Sequence, residues 1–301
     1  MIKQLVKKYM PNVFLKPLIY SYRKSRETNF FNQNISKITI GNFELQIPSN
    51  HLLIELQKNQ PYRDLNIGIT AKYISEKYPE STIIDVGANI GDTAAIIATY
   101  SKNDIILIEP SEFYYNFLNS NKIIFPNNIK TIKALVSDGK SIEGSFHHWG
   151  GTAIFSESND NTGKQVNTIS LEKVTKAPVC FIKVDTDGYD FKIINNSIKW
   201  FPKFKPAILF ENQILDENDL SSATEVLNKL NNIGYKYFVV WDDQGLHLVS
   251  TNSIDIVNSL NNYLFKLFQL NKKRIYNYDI LCLNSNDYDI FEQVTNWYKS
   301  Y

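Results

Sequence analysis

The sequence predicts an α/β protein built around a doubly wound, mostly parallel β-sheet. Short runs rich in Ile, Val, Leu and Phe are almost continuously apolar, as parallel strands covered on both faces should be. Segments with apolar residues at helical spacing separate these runs, which is typical of right-handed β-α-β crossovers. The predicted strands span residues 82–87, 105–110, 129–137, 179–185 and 206–212.

Helices are predicted between and after these strands. They span about 92–100, 112–121, 189–199, 221–232 and 254–270. The last helix lies between two further apolar runs, at 235–242 and 278–284. Their spacing indicates an antiparallel addition to the edge of the sheet.

The N-terminal part forms a predicted extension over residues 1–60, followed by one domain over 61–301. Residues 36–48 alternate apolar and polar side chains around Gly41-Asn42, which predicts a β-hairpin. A helix is predicted from Pro48 to Gln60, and another over 66–77. The basic, amphipathic first residues either pack on the body of the protein or make a peripheral contact with an anionic membrane or a partner.

Composition excludes several classes of protein. The chain has 301 residues, 43% hydrophobic and 21% charged, with a net charge of +1, so neither wholesale disorder nor bulk nucleic-acid binding is expected. It contains no apolar run of about 18 residues, so no transmembrane segment is predicted. Cys180 and Cys282 lie far apart in apolar runs, which favours free thiols and a reducing, cytoplasmic location. The oligomeric state is left open.

The loop after the first predicted strand, Asp85 to Asp92 (DVGANIGD), indicates a ligand site. A dinucleotide fingerprint would place glycines at 87, 89 and 92, but only Gly87 is present. Asn89 can take the left-handed conformation of a glycine. Asp92 at the start of a helix would repel a pyrophosphate. A cationic ligand without phosphates, such as S-adenosylmethionine, therefore suits this loop better.

The ends of the next two strands fit the rest of a nucleoside. Glu109 is placed to accept both ribose hydroxyls, and Pro110 and Ser111 follow it. Ser137 and Asp138 end the third strand, where a polar side chain can meet an adenine amino group.

Taken together, these motifs resemble the FkbM family of S-adenosylmethionine-dependent methyltransferases. The resemblance rests on DVGANIGD (85–92), IEP (108–110), LVSD (135–138), FIKVDTDGYD (181–190) and the strand ending in Glu211. It implies the class I methyltransferase fold, Rossmann-like with an antiparallel last strand, and methylation of hydroxyl groups on sugars and other natural products.

The resemblance also implies roles for individual residues. Gly87, Asn89 and Asp92 would surround the amino-acid end of the cofactor, Glu109 its ribose and Asp138 its adenine. Tyr62 and Asp64 look like family positions that close over the cofactor. Asp187 and Asp190 depart from the pattern, since many members have Glu or a small residue at the first position and Glu at the second, which leaves the substrate class in doubt.

Carboxylates at adjacent strand ends are the main candidates for chemistry. Asp185 could orient the cofactor or the acceptor hydroxyl, or take its proton; Asp187 is a second candidate, and Glu211 could complete the cluster. The same cluster could instead hold a divalent cation, which is left as an alternative.

His147 and His148 are candidate general bases, because they precede Trp149 and a Gly-Gly turn in a predicted hairpin or lid that could line a sugar site. Trp241 and Asp242 are candidate acceptor contacts, and His247 is expected to face solvent.

The sequence therefore predicts an S-adenosylmethionine-dependent O-methyltransferase acting on a sugar or glycan, with surface polysaccharide biosynthesis as the context that the resemblance implies. Two alternatives remain at this point: a nucleotide-dependent oxidoreductase, and a non-catalytic binding module in a glycan-synthesis complex.

Overall fold

A computed structural model describes residues 34–158, 163–272 and 275–300 of the chain. The basic segment predicted at the N-terminus lies outside these residues. In the described part of the chain, no helix has the length and apolar character needed to cross a membrane.

The strands are numbered along the chain. They are β1 (Ile35–Ile40), β2 (Phe43–Pro48), β3 (Thr82–Val86), β4 (Ile105–Ile108), β5 (Ile129–Ile132), β6 (Leu135–Val136), β7 (Ile142–Trp149), β8 (Thr152–Glu157), β9 (Lys164–Val166), β10 (Thr168–Ile169), β11 (Val179–Val184), β12 (Ala207–Gln213), β13 (Tyr235–Asp242), β14 (His247–Thr251) and β15 (Asn277–Asn284).

The helices are numbered in the same way. They are α1 (Leu53–Asn59), α2 (Leu65–Lys77), α3 (Asp92–Tyr100), α4 (Glu112–Asn121), α5 (Leu171–Val174), α6 (Asp190–Ser197), α7 (Phe201–Phe204), α8 (Glu217–Asn232), α9 (Ile254–Gln269) and α10 (Tyr288–Ser300).

The central sheet has eight strands in the order β14-β13-β15-β12-β11-β3-β4-β5. The strands from β12 to β5 pair in parallel, so their carboxyl ends share one edge. β15 runs antiparallel between β12 and β13, so its amino end lies at that edge too. The predicted antiparallel addition is confirmed, and β14 extends it by one more antiparallel strand.

Helices cover both faces of this sheet. Successive strand residues point to opposite faces, so Ile83 of β3 joins one buried cluster and Ile84 the other. The first cluster includes residues of α2, α3, α4 and α10, and the second includes residues of α6, α8 and α9. The predicted doubly wound sheet is confirmed, and its carboxyl edge is the rim where such folds bind ligands.

The hairpin of β1 and β2 turns at Gly41-Asn42, as predicted. Its apolar side chains, Leu45 and Ile47 among them, are fully buried in the first cluster. Asn121, in α4, fixes the hairpin by accepting a hydrogen bond from the Gln46 backbone N–H (2.8 Å) and donating to the Gln46 carbonyl (2.9 Å).

The prediction of one continuous strand over residues 129–137 is wrong. Residues 129–137 divide into β5 and β6, and β6 pairs with β10 instead of with the central sheet. The neighbouring β4 ends at Ile108, and Pro110, two residues later, has no N–H to continue a ladder. Beyond Ile132 the segment therefore has no partner in the central sheet and pairs elsewhere.

Candidate active site

The loop between β3 and α3 lies at the carboxyl edge of the sheet. Gly87 has a φ of +83°, and a Cβ atom there would approach the Asp185 carbonyl oxygen to 1.9 Å, so only glycine fits. Asn89 has a φ of +47°, the left-handed conformation expected from the sequence. This backbone brings the β3 loop directly against the end of β11.

A buried ion-pair network lies beneath the loop. The Lys183 ammonium is 3.2 Å from the Asp85 carboxylate and 3.4 Å from that of Asp185, and Thr93 donates a hydrogen bond to Asp85. Burial alone would lower the pKa of Lys183, but Asp85 and Asp185 more than offset it and raise the pKa. Lys183 therefore stays charged and links the ends of β3 and β11.

Glu109, just after β4, is held in a fixed orientation. Its two carboxylate oxygens accept hydrogen bonds from the backbone N–H groups of Asn89 (2.9 Å) and Ser111 (2.8 Å). Burial raises the pKa of Glu109 to about 7. Each oxygen keeps a second lone pair, so the carboxylate can still accept hydrogen bonds from a ligand.

A small cavity of about 40 Å³ lies beside Glu109. Gly87, Asn89 and Val136 contribute to its walls, and Phe146 and Phe155 of the β7–β8 hairpin cover it.

The β7–β8 hairpin is tied to the loops around this cavity. The Asn89 side-chain amide donates to the Gly151 carbonyl (2.7 Å), and the His148 ring nitrogen Nε2 is 2.7 Å from the Ser111 hydroxyl. Thr152 donates a hydrogen bond to Asp187. The hairpin predicted to contain His147 and His148 therefore lies over the ends of β4 and β11, beside Glu109.

His51 lies against the β3 loop, a position that the sequence did not predict. Its ring lies 3.5 Å from the Asn89 side-chain oxygen and packs edge-on against Tyr114. Burial lowers the pKa of His51 to about 4, so the ring is neutral at pH 7. No motif in the sequence marks it, because it precedes α1 and reaches the loop only through tertiary folding.

A larger cavity of about 280 Å³ lies farther along the same edge, at the carboxyl ends of β11 and β12 and the amino end of β15. Asp185 lines both cavities. The carboxylates that line the larger one are Asp64, Asp185, Glu211, Asp243 and Asp279; the bases are Arg63 and Lys183.

Crowding of buried carboxylates sets the electrostatics of this edge. Burial, followed by repulsion from Asp185 and other acids, raises the pKa of Glu211 well above its ordinary value. Burial raises the pKa of Asp279 to about 7, although Asn66 donates a hydrogen bond to it (2.8 Å). Burial, together with the charge of Asp64, also raises the pKa of Asp92 to about 7. The protein therefore holds protons on this edge that the unfolded chain would release.

Stability should consequently fall as the pH rises. Unfolded carboxyl groups titrate near pH 4, whereas Glu109, Asp92 and Asp279 titrate near 7 in the folded protein. Between these values the folded state binds more protons, so the free energy of unfolding decreases with pH through this window and then levels off. Thermal melts of the ligand-free protein from pH 5 to pH 8 measure the effect. Asp279→Asn should reduce the slope, and a melting temperature that rises over this interval would contradict the prediction.

The structure brings some of the predicted residues together. Asp185 and Glu211 line the larger cavity with Asp64, whereas Asp187 lines the smaller one. Pro110 also lines the smaller cavity, beside Glu109. These positions agree with one ligand-binding edge.

Other predicted residues line neither cavity. Asp138 forms an ion pair with Lys140, and the buried Ser137 hydroxyl accepts a hydrogen bond from the Gly139 N–H. Neither residue lines the smaller cavity. His147 and His148 line neither cavity. Tyr62 is 39% exposed and contacts Gly245 through its backbone. The roles of these residues stay predictions.

The two acceptor contacts predicted at β13, Trp241 and Asp242, line neither of the two cavities. Trp241 is fully buried in the core against Tyr298, and Asp242 accepts from the backbone N–H groups of Gln244 and Leu246. Asp243, in the turn that follows, lines the larger cavity instead.

Asp243, Arg63 and Asp279 were missed by the sequence analysis. Asp279 had a usable signal, because an antiparallel strand presents its amino end at the edge where parallel strands present their carboxyl ends. Arg63 lies 3.6 Å from Asp64, and its position before α2 gave no comparable signal.

Among the described residues, no group of three or more His, Cys, Asp or Glu side chains is arranged to hold a metal ion. Cys180 and Cys282 are buried, free thiols, as predicted.

Comparisons with known proteins found methyltransferases among the similar solved structures. One is methyltransferase FkbM from Methylobacillus flagellatus KT, with 13% identity, a TM-score of 0.42 and 67% of this chain covered. Another is the plantazolicin methyltransferase BpumL in complex with SAH, with 10% identity, a TM-score of 0.40, and 77% of this chain and 89% of that chain covered. The match to the first spans 43% of that chain, less than half of its length. No curated protein matched the sequence.

The family is shown by a sequence model. The model described as "Methyltransferase FkbM domain" matches residues 85–237, just over half of the 301 residues. The match begins at the first residue of the DVGANIGD loop and takes in the strand ends that carry Glu109, Asp185 and Glu211. The chain therefore belongs to the FkbM family of methyltransferases, which use S-adenosylmethionine as the methyl donor.

Proposed function

We propose that the protein transfers a methyl group from S-adenosylmethionine to a hydroxyl group of a sugar or glycan, in the biosynthesis of surface polysaccharides or glycoconjugates. The observation that carries the methyl transfer is the position of Asp185, which lines both the small cavity beside Glu109 and the larger cavity. The Asp185 carboxylate therefore lies between the small cavity, which would hold a nucleoside donor, and the larger cavity, which would hold the acceptor. The sugar and its biosynthetic context rest on the family resemblance.

The residues beside Glu109 fit a nucleoside. Gly87 lets the end of β3 pass close to the Asp185 carbonyl, Glu109 offers acceptor lone pairs for two ribose hydroxyls, and Val136 and Phe146 offer apolar surface for a base. When bound, the cofactor supplies an electrophilic methyl group on a sulfonium. Since the small cavity holds about 40 Å³, we expect the β7–β8 hairpin to move outward to admit it.

Asp185 is the residue we assign to the acceptor hydroxyl. It accepts the proton that the hydroxyl loses as its oxygen bonds to the methyl carbon, and the electron pair of the broken carbon–sulfur bond stays on sulfur. Lys183 keeps Asp185 in place through the ion pair described above. Positioning of this kind supplies much of the rate when the leaving group is good.

Binding and turnover test this function. Calorimetry with S-adenosylhomocysteine should detect one site per chain, and hydrogen exchange in residues 142–157 should change on binding. Incubation with S-adenosylmethionine and a panel of glycans should raise the mass of one of them by that of a CH₂ group, since the methyl group replaces the hydroxyl proton. Lack of binding at millimolar S-adenosylhomocysteine would refute the proposal, whereas binding without any methylated product would favour a non-catalytic module.

A further inference from the structure

The far wall of the larger cavity is separated from the cofactor loop by several strands. Glu211 lies on β12, Asp279 on β15 and Asp243 after β13, which are two, three and four strands from β3 in the sheet. Neighbouring strands lie about 4.8 Å apart, so these positions are roughly 10–19 Å from the loop. A donor whose ribose is held by Glu109 lies on the other side of β3, so the far wall faces the acceptor.

This wall carries three carboxyl groups that form no salt bridge in the described structure, although the positive charge of Arg63 acts on Asp243 and Asp279. Of the two bases in the cavity, Lys183 is paired with Asp85 and Asp185, and Arg63 lies beside Asp64. The Oε2 atom of Glu211 and the Oδ1 atom of Asp243 are buried and have no hydrogen-bond partner in the described structure. Buried acceptors without a partner are costly, so a ligand that donates to them would gain from satisfying them.

A protonated amine matches this wall best. An ammonium group offers three N–H donors to the unpaired oxygens, and its positive charge favours the ionised form of these buried carboxyl groups. A neutral hydroxyl can donate only one hydrogen bond and leaves the repulsion between the carboxylates in place.

We propose that Glu211, Asp243 and Asp279 form a binding subsite for a protonated amino group on the acceptor, so that the substrate is an amino sugar or a related amino alcohol. This inference rests on the proposed function, which it makes more specific. Ion pairing keeps the amine protonated, and a protonated amine has no lone pair with which to attack the methyl group. The subsite therefore directs methylation to a hydroxyl group near Asp185 and away from the nitrogen.

Calorimetry on the full chain, saturated with S-adenosylhomocysteine, tests the subsite. Saturation fills the cofactor site, so the ammonium of the cofactor itself cannot account for binding of an added amine. The probes are D-glucosamine, N-acetyl-D-glucosamine and D-glucose, of which only the first carries a charged amine. We expect D-glucosamine to bind at least about tenfold more tightly than the other two, as a charge-assisted hydrogen bond allows.

Variants of the wall locate the effect. Glu211→Gln and Asp243→Asn should each reduce the preference for D-glucosamine over D-glucose toward unity, with S-adenosylhomocysteine affinity unchanged within about threefold. Glu80→Gln, at an exposed position away from the cavity, is the matched control and should keep the preference. If Glu211→Gln does not fold, Asp243→Asn decides the matter alone.

The outcomes separate this inference from the proposed function. If S-adenosylhomocysteine does not bind to the unaltered protein, the proposed function fails. If it binds but the three sugars bind equally, or if the wall variants keep the preference, only the amine subsite is overturned.

Discussion

Replacing Glu109 by Gln is expected to weaken the binding of S-adenosylhomocysteine about a hundredfold. Each hydrogen bond to a charged group contributes about 1.5–3 kcal/mol, and the variant loses the charge that would hold two ribose hydroxyls. The structure adds a second effect, because the same carboxylate accepts the backbone N–H groups of Asn89 and Ser111. The amide places a donor against one of these groups, so the melting temperature of the ligand-free protein should also fall.

The pH dependence of binding gives an independent test of Glu109. Since burial raises its pKa to about 7, the unaltered protein should bind S-adenosylhomocysteine less tightly as the pH falls below 7, where the carboxylate becomes protonated. In the Glu109→Gln variant, this decrease in affinity below pH 7 should be absent. Glu112→Gln, an exposed carboxylate on α4, is the control and should retain affinity. An unchanged dissociation constant in the Glu109 variant would remove this residue from the ribose.

Replacing Asp185 by Asn is expected to lower kcat by about 10²- to 10⁴-fold, the usual contribution of a positioned general base. The dissociation constant of S-adenosylhomocysteine should change by less than about tenfold, because the side chain is similar in size and Lys183 keeps its shorter contact to Asp85. Single-turnover methylation of an acceptor identified from the glycan panel, together with calorimetry, separates the two quantities.

Asp187→Asn is the comparison that makes this test specific. Asp187 lies next to the same strand end but is bound to Thr152 of the hairpin and does not line the larger cavity. We expect the Asn variant at 187 to keep kcat within about tenfold. If the loss occurs at 187 and not at 185, the base has been assigned to the wrong carboxylate.

Local sequence patterns were sufficient for much of the fold. Helix α3 was predicted at 92–100 and is observed over Asp92–Tyr100, because an apolar stripe and a loop with Gly91 define it within a few residues. The failure at 129–137 has a different origin, since nothing in those residues shows that β4 ends at Ile108. The length of β5 depends on how far its partner β4 extends, and that is set by residues elsewhere in the chain.

The residues of the candidate site also fall into those that the sequence predicted and those that it did not. The sequence predicted the loop from Asp85 to Asp92 and the candidate carboxylates Glu109, Asp185 and Glu211, because each lies at or near the end of an apolar strand of a parallel sheet. His51, Arg63 and Asp243 were not identified, because they come from a turn before a helix and from a hairpin tip. Their presence in the site depends on how those segments dock.

The sequence by itself determined the α/β class, the order of the central strands along the chain and the methyltransferase family, since hydrophobic periodicity and the loop motifs are local properties. Only the tertiary structure decided that Asp185 lines both cavities, that the β7–β8 hairpin covers Glu109, and that Glu211, Asp243 and Asp279 share one wall. Burial and charge repulsion depend on distances between residues far apart in the chain, so the electrostatic character of the larger cavity arises only when β12, β13 and β15 lie side by side.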